Sequence, residues 1–434
     1  MTQLELQYEY MRNRHEMAQI CRQEGTTTYG FWDLFYQQYC LRTKMEQQLL
    51  IEDDPYVDIF DGCSIYYPDN RLNSEKGKWI VLVFHELTRT GAPIVLLDLG
   101  IELMKMGYFV VAVAHQDDGL KADILKAGIP LVLNKNVLRP DIDSEEIFAF
   151  DGLIQHASLT VICTCVLVNW IRRYNGSEHK ILWWIHEASV SLHDFAGRFP
   201  KEIQNNVWMY CVGEYVQQWL LRYGKQYQAE IFNYGVHDIL DVQKQATRED
   251  NKVRFVMVGT LTKRKAQDVF VNAIKLLPSK YLNKAEFIII GKKTIEKCVS
   301  MVLDLAEKYE NVKYIEELPR EKIFDLYRTV DCVVCPSRED PMPVVLTEGM
   351  ALEKVCICST ETGTKAFIKD GVNGFICHSN DAQDLSEKLK YIIDHKEDLR
   401  QIGKRGRKIY EEEFSMASFH KRIKEKIIDD IINQ

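Results

Sequence analysis

The carboxylates Asp340 and Glu348, with Glu339 beside the first, flank the start of an apolar segment in the stretch SREDPMPVVLTEGMA. Ionised carboxylates only accept hydrogen bonds, so a pair aimed at one place suits sugar or ribose hydroxyls, while the free amides of a helix start suit phosphate. Two acids near a helix start also serve the helix dipole, and residue types alone leave both readings open. Three cations, Lys263, Arg264 and Lys265, follow a strand-like run in VGTLTKRKAQD. Cations at a helix start oppose the dipole unless an anion such as a diphosphate lies among them; a solvated basic turn is the plainer alternative. His186 closes the apolar run ILWWI. That position suits ligand contact, although a single histidine more often serves structure. Thr88-Arg89-Thr90-Gly91 precedes a helical segment, and Gly91 there permits either close approach to an anion or simply a tight turn.

The elements that must position these residues are legible as alternating apolar runs and helical segments. WIVLVFHE, FVVAVAHQ, IPLVLN, LTVICT, KILWWIHE and VWMYCVG form one series, and VRFVMVG, AEFIIIG, VKYIEE, DCVVCPS and VCICST form a second. Strands alternating with helices imply right-handed crossovers and parallel sheets. The fold class expected is therefore α/β, with two tandem Rossmann-like domains facing each other across a cleft. The chain is expected to divide into a helical extension and linker over 1–70, a first domain over 71–245, a second over 246–413 and a C-terminal helix over 414–434. Ligands of open α/β sheets bind outside the carboxyl ends of the strands, where all four polar loops fall. A basic loop and a carboxylate loop on one such edge describe a nucleotide-sugar pocket.

At the N-terminus, helices are expected near 3–23 and 30–50, the second with Phe31, Leu34, Leu41, Met45 and Leu49 as its apolar stripe, followed by an irregular aromatic linker over 51–70. At the C-terminus, Phe419, Ile423, Ile427 and Ile431 recur every four residues in a basic helix, expected to dock on the first domain, with a membrane-surface contact as the alternative. Asp141-Ile142-Asp143 has the spacing of a metal-binding pair, but Asp143-Ser144-Glu145-Glu146 reads more simply as a helix start. Cys332-Val-Val-Cys335 lies within a strand and lacks a second pair at zinc-site spacing, so no metal is expected. A net charge of −8 argues against a nucleic-acid partner. Without a long apolar run or an apolar leader, and with cysteines set inside apolar strands, the expected location is cytoplasmic.

With these loops in hand, residues 78–434 resemble the retaining glycosyltransferases of the GT4 family, which have the GT-B fold. SREDPMPVVLTEGMA with DGVNGF downstream is similar to the family's signature of two acids separated by seven residues; VGTLTKRKAQD is similar to its lysine loop, HELTRTGAP to its glycine loop, WWIHEA to its histidine loop and IFNYGV to its pre-hinge turn. The resemblance implies transfer of a sugar from a nucleoside-diphosphate sugar, most often a uridine one, to a glycan or lipid-linked saccharide acceptor, without a cofactor or metal. It implies that Glu348 holds the ribose, that Arg264 and Lys265 hold the diphosphate, and that Asp340, with Glu339, lies beside the donor sugar. It places Met342, Val344 and Val345 among the donor contacts, His186 near the reacting sugar and acceptor, and Gly91 in a loop closing on the pocket. It also implies work at the inner face of a membrane, with peripheral contact. Departures from the family pattern are Asp340 in place of the usual glutamate, Pro343 in place of a glycine, Thr260 in place of an arginine, and Ala366 in place of an acid. A catalytically silent partner subunit or a glycan-binding protein of the same fold, and a nucleotide-sugar epimerase, are the rival readings.

Overall fold

The computed structural model describes residues 3–24, 29–47, 57–60, 63–68, 78–138, 150–240 and 250–434. The chain divides into two compact units: Met1–Cys211 with Leu220–Glu230 and Arg422–Gln434, and Val212–Trp219 with Ile231–Lys421. The described residues of 1–70 group with the body that follows. Of the expected C-terminal helix, only Arg422–Gln434 belongs to the first unit. The boundary expected at 245–246 and the motif over 141–146 lie outside the described residues, as do Leu49 and the side chain of Met45.

In the first unit the strands are β1 (Val57–Phe60), β2 (Cys63–Tyr66), β3 (Trp79–Val83), β4 (Phe109–Ala114), β5 (Leu131–Asn134), β6 (Ala157–Cys163), β7 (Ile181–Ile185) and β8 (Val207–Cys211). They lie in the order β1-β2-β5-β4-β3-β6-β7-β8, with the two-residue β9 (Glu230–Ile231) at the far edge. From β5 to β8 the pairing is parallel. Every residue of β3, β4 and β7 is buried, as continuous apolar strands covered on both faces must be. Within 51–70, expected as an irregular linker, the described residues form two strands: β2 runs antiparallel to both β1 and β5. Cys63 and Ile65 point inward while Ser64 and Tyr66 alternate with them.

The helix Tyr29–Gln47 buries Phe31, Trp32 and Phe35 completely, whereas the expected Leu34 and Leu41 are only half-buried. Aromatic area decides the face. Trp32 stacks on Phe150, Phe35 meets the edge of Trp79, and Tyr36 and Tyr39 both pack on Phe109. The preceding helix, Gln3–Glu24, is joined to it by the buried Asn13, whose Nδ2 donates to Gln38 Oε1 at 2.9 Å.

In the second unit β10 (Val253–Val258), β11 (Ala285–Ile290), β12 (Val312–Ile315), β13 (Cys332–Cys335), β14 (Val355–Ser359) and β15 (Phe375–Cys377) form a parallel sheet in the order β12-β11-β10-β13-β14-β15. Phe255 and Phe287 stack at 5.4 Å across β10 and β11, with Phe270 of the helix Gln267–Lys275 edge-on to Phe287. In both sheets the strand order reverses beside the first parallel strand of the unit, at β3/β6 and at β10/β13. Those reversals open a crevice between neighbouring loops.

At the C-terminus the helix Met416–Arg422 continues into a wider, i→i+5 winding over Ile423–Ile432. Residues four apart slightly overshoot one α-helical turn and slightly undershoot the wider one, so either winding keeps them on one side. Phe419 is buried against Phe232, and Ile423, Ile427 and Ile431 are fully buried, with Lys180 Nζ donating to the Ile431 carbonyl at 2.7 Å. The stripe packs on protein. All twelve cysteines are free thiols, and no described helix is long and apolar enough to cross a membrane.

Candidate functional site

The basic loop leaves β10 at Gly259, whose φ of +152° is glycine territory. A Cβ on the neighbouring Gly291 would lie 2.0 Å from the Gly259 carbonyl oxygen, so the loops after β10 and β11 meet backbone to backbone. The fully buried Gln267 then braces the loop from within. Its Nε2 donates to the carbonyls of Gly259 and Thr260 at 3.1 and 3.0 Å, and its Oε1 accepts from the Thr262 amide at 3.2 Å. Lys263–Lys265 winds into a single tight turn ending at Ala266, which sits in the left-handed region at φ +63°, ψ +39°. This turn carries Arg264 outward and Lys265 inward.

The loop after β13 supplies the acids. Asp340 is held by its own backbone: its amide donates to the Glu361 carbonyl at 3.0 Å, and its carbonyl accepts from the Gly363 amide at 2.9 Å. A Cβ at position 363 would lie 1.7 Å from the Pro341 oxygen, so only glycine allows this approach. Lys265 Nζ reaches Asp340 Oδ2 at 2.5 Å. Arg264 Nη1 donates to the Glu339 carbonyl at 3.1 Å and lies 4.0 Å from the same carboxylate oxygen of Asp340. The expected Lys265, Arg264, Glu339 and Asp340 are thus brought together, at the reversal of strand order between β10 and β13.

Glu348 stands one turn into the helix Val344–Ala351 and is buried, with Arg320 Nη2 donating to its Oε1 at 2.9 Å. Burial pushes its carboxyl above the ordinary range, opposed by the Arg320 charge. Beside it the buried Tyr327 hydroxyl has no hydrogen-bond partner among the described residues. Val344 and Val345 open the helix half-buried, whereas Met342 is buried: its carbonyl accepts from the Tyr234 hydroxyl at 3.1 Å, and its Cε lies 2.7 Å from where a Cβ of Gly213 would stand. Met342 shapes the floor of this loop. Pro343, at the helix cap, offers no amide there.

In the first unit, Glu86 at the end of β3 accepts from Thr88 Oγ1 at 2.7 Å and Thr90 Oγ1 at 3.1 Å, which arches the chain into the helix Gly91–Lys105 with Gly91 exposed. The His85 ring, burial, and the Thr88 and Thr90 hydroxyls set the Glu86 carboxyl at about 2, the hydrogen bonds outweighing burial. After β7, His186 Nε2 is shut off from solvent with no hydrogen-bond partner among the described residues, and burial, aided by the charge of His85, lowers its pKa to about 3. It is a neutral imidazole near pH 7. Glu187 Oε2 accepts from the Cys165 amide at 3.0 Å and the His186 amide at 3.2 Å, joining this loop to the turn after β6. That turn contains Thr164 at φ +92°, ψ +156°, a region populated almost only by glycine, fixed by Trp183 Nε1 donating to its carbonyl at 3.1 Å. Thr164 stands at the end of β6, the strand beside the reversal of order at β3/β6. Among the described residues no cluster of three or more His, Cys, Asp or Glu side chains is set to hold a metal ion.

Sequence reasoning did not single out Gln267, Arg320, Arg338, Glu187 or Gly363. Gln267 and Arg338 stand inside the two stretches that drew attention. No periodicity, however, marks a buried brace among charged neighbours.

Comparison with known proteins gives a consistent result. Residues 76–236 match the model for glycosyl-transferase family 4, and residues 238–409 match that for glycosyl transferases group 1. An uncharacterized glycosyltransferase of Methanocaldococcus jannaschii is 26% identical over 228 residues, 51% of this chain and 60% of that protein. The UDP-Gal:α-D-GlcNAc-diphosphoundecaprenol α-1,3-galactosyltransferase of Escherichia coli is 24% identical over 42% of this chain and 47% of its own. The chain thus matches less than two thirds of the length of these relatives. Among solved structures, HepE of Anabaena, in complex with UDP and glucose, superposes over 81% of this chain and 100% of its own with a TM-score of 0.65 at 16% identity. Sucrose-phosphate synthase of Thermosynechococcus elongatus covers 82% and 100% with a TM-score of 0.67 at 16% identity. At such identities the likeness establishes the fold, GT-B.

Proposed function

We infer that this chain, which belongs to the GT4-type glycosyltransferases of GT-B fold, moves a glycosyl group from a nucleoside-diphosphate sugar to a glycan or lipid-linked saccharide acceptor. The donor proposed is UDP-linked, and the configuration at the anomeric carbon is retained. The observation that carries the reading is the meeting of Lys265 with Asp340 at 2.5 Å, beside Arg264, at a switch point of the second sheet. An ammonium offers three donors. One engages Asp340, leaving the others for diphosphate oxygens, with Arg264, half-exposed, free to swing onto the same anion.

Glu348 takes the ribose hydroxyls, and Asp340 faces the donor sugar from its buried seat. As the bond from the anomeric carbon to the leaving phosphate oxygen lengthens, negative charge gathers on the diphosphate. Lys265, held by Asp340, and Arg264, within reach of the same anion, receive it. The leaving phosphate oxygen takes the proton of the incoming acceptor hydroxyl, which bonds to the anomeric carbon on the face that the diphosphate departs. The cations supply the charge stabilisation, so no metal ion is proposed. The acceptor falls to the first unit, whose loops carry Gly91 and His186. The uridine base and the lipid-linked acceptor are supported by the UDP held by HepE and by the substrates in the name of the Escherichia coli relative.

Incubation with UDP-, GDP- and dTDP-sugars plus oligosaccharide or polyprenyl-diphosphate-sugar acceptors tests the reading by nucleotide release and by NMR of the product's anomeric carbon. Acceptor-dependent release of UDP with retained configuration is expected. Binding without turnover favours a silent partner subunit. Conversion of the sugar nucleotide without an acceptor favours an epimerase.

A further inference from the structure

Arg338 follows Ser337 in the acidic loop, and all three nitrogens of its guanidinium are engaged. Its Nη1 and Nη2 donate to Oδ1 and Oδ2 of Asp268 at 2.8 and 2.7 Å, a two-pronged pairing that fixes the plane of the guanidinium. The same Nη1 donates to the Lys263 carbonyl at 2.6 Å, while Nε and Nη2 both reach Asn380 Oδ1, at 3.0 and 2.7 Å. Its backbone amide donates to the Arg264 carbonyl at 2.8 Å. Three loops are therefore gathered on one side chain: the basic loop after β10, the acidic loop after β13 and the turn before the helix Ala382–Asp394. The partner Asp268 sits in the first turn of the helix Gln267–Lys275, directly behind the three cations. Burial pushes the Asp268 carboxyl up, and the bonds and charge of Arg338 outweigh that and leave it below its ordinary range.

The geometry has a consequence for the cations. Lys263, Arg264 and Lys265 repel one another in a single turn, which the Thr262 cap and Gln267 close locally but do not tie to the acidic loop. Arg338 binds the carbonyls of both Lys263 and Arg264, the two peptide groups that precede the Arg264 and Lys265 side chains. It thereby sets the direction in which those side chains leave the turn. Arg338 itself points back into the loops, toward Asp268 and Asn380.

We propose that Arg338 is a positioning residue for the diphosphate end of the donor site, clamping the basic loop to the acidic loop so that Lys265 and Arg264 present their charges together. The proposal rests on the assignment of that site to a sugar nucleotide. Arg338 acts through the two cations and touches no substrate. A lysine at 338 provides the charge but not the fork that spans Asp268, Asn380 and the Lys263 carbonyl.

The test compares UDP with uridine, since only the former carries the diphosphate. Affinities of both for the full chain are measured by NMR titration in wild type, Arg338→Ala, Arg338→Lys and Asp268→Asn, each at a temperature below its own unfolding transition. Wild type is expected to bind UDP more tightly than uridine. Arg338→Ala and Arg338→Lys are expected to weaken UDP about tenfold while leaving uridine within about twofold, with Asp268→Asn in between. If Arg338→Ala does not fold, the lysine and asparagine variants carry the comparison. Equal losses for UDP and uridine, or no loss for either, overturn the inference while the site assignment stands. A wild-type protein that binds neither overturns the assignment, and the inference with it.

Discussion

At the scale of single residues, the pairing of Lys265 with Asp340 has a cost as well as a use. The Asp340 side chain is only 8% exposed, and a carboxylate that deep is tolerated because a cation meets it. Lys265→Ala is therefore expected to lose transfer rate by a factor on the order of 10²–10³ and also about 3 kcal/mol of stability, since a buried charge is left behind. Adding Asp340→Asn should recover most of the stability and none of the rate, measured by thermal unfolding and nucleotide release in parallel. Recovery of both would make the pair purely structural. Neither the contact nor its energetics was legible in the sequence: the partners are 75 positions apart, and only the reversal of strand order between β10 and β13 joins their loops. The acids and cations themselves were legible, because each follows an apolar run that had to be a strand. Arg320 and Arg338 were not, because an arginine at a helix start or in a polar loop reads as solvated until its carboxylate is located.

At the scale of elements, close backbone approach holds the loops alongside the Gln267 and Arg338 side chains. Gly363 lets the turn after β14 pair with Asp340, and a methyl there would meet the Pro341 carbonyl oxygen at 1.7 Å. Since the atom struck is backbone, the loop after β13 has no cheap way to yield. Gly363→Ala is expected to cost about 3 kcal/mol and to abolish nucleotide release by displacing Asp340. Gly197→Ala, where nothing lies within 4 Å of the added atom, should stay within about 0.5 kcal/mol of wild type. Thermal unfolding of the two variants checks the contrast, and two equal shifts would mean that the loop after β13 is not so constrained. The antiparallel pair of β1 and β2 shows why some elements escaped the sequence reading. Its strands are only four residues each, with Asp58, Ser64 and Tyr66 interrupting the apolar residues, too short to stand out from an irregular stretch. The nearly continuous apolar strands β3, β4, β7, β11 and β14 do stand out.

At the scale of the whole molecule, buried groups of opposite sign set the pH dependence of stability. The neutral His186, held at about 3 by burial and the charge of His85, stays unprotonated in the fold while the unfolded chain takes up its proton near 6.5. Its contribution to stability is therefore complete above pH 6.5 and is lost as pH falls from there toward 3. Glu187 in the first unit and Glu348 in the second, both raised by burial, act with the opposite sign and favour the fold as pH drops. The unfolding temperature of wild type relative to His186→Asn should fall steadily between pH 6.5 and 4, and a constant difference would mean that the imidazole reaches solvent. The assignment of the second unit as the donor-binding one stands on Glu348 together with the basic loop. Its carboxylate can be removed without collapsing the site, because its partner Arg320 remains 37% exposed and hydrated. The most direct measurement is isothermal titration of wild type and Glu348→Ala with UDP, GDP and dTDP. Wild type should bind UDP in preference to the others, and Glu348→Ala should lose that binding while unfolding at nearly the same temperature. Equal affinity in the two proteins, or no nucleotide bound by wild type, would contradict the assignment of this site to a sugar nucleotide.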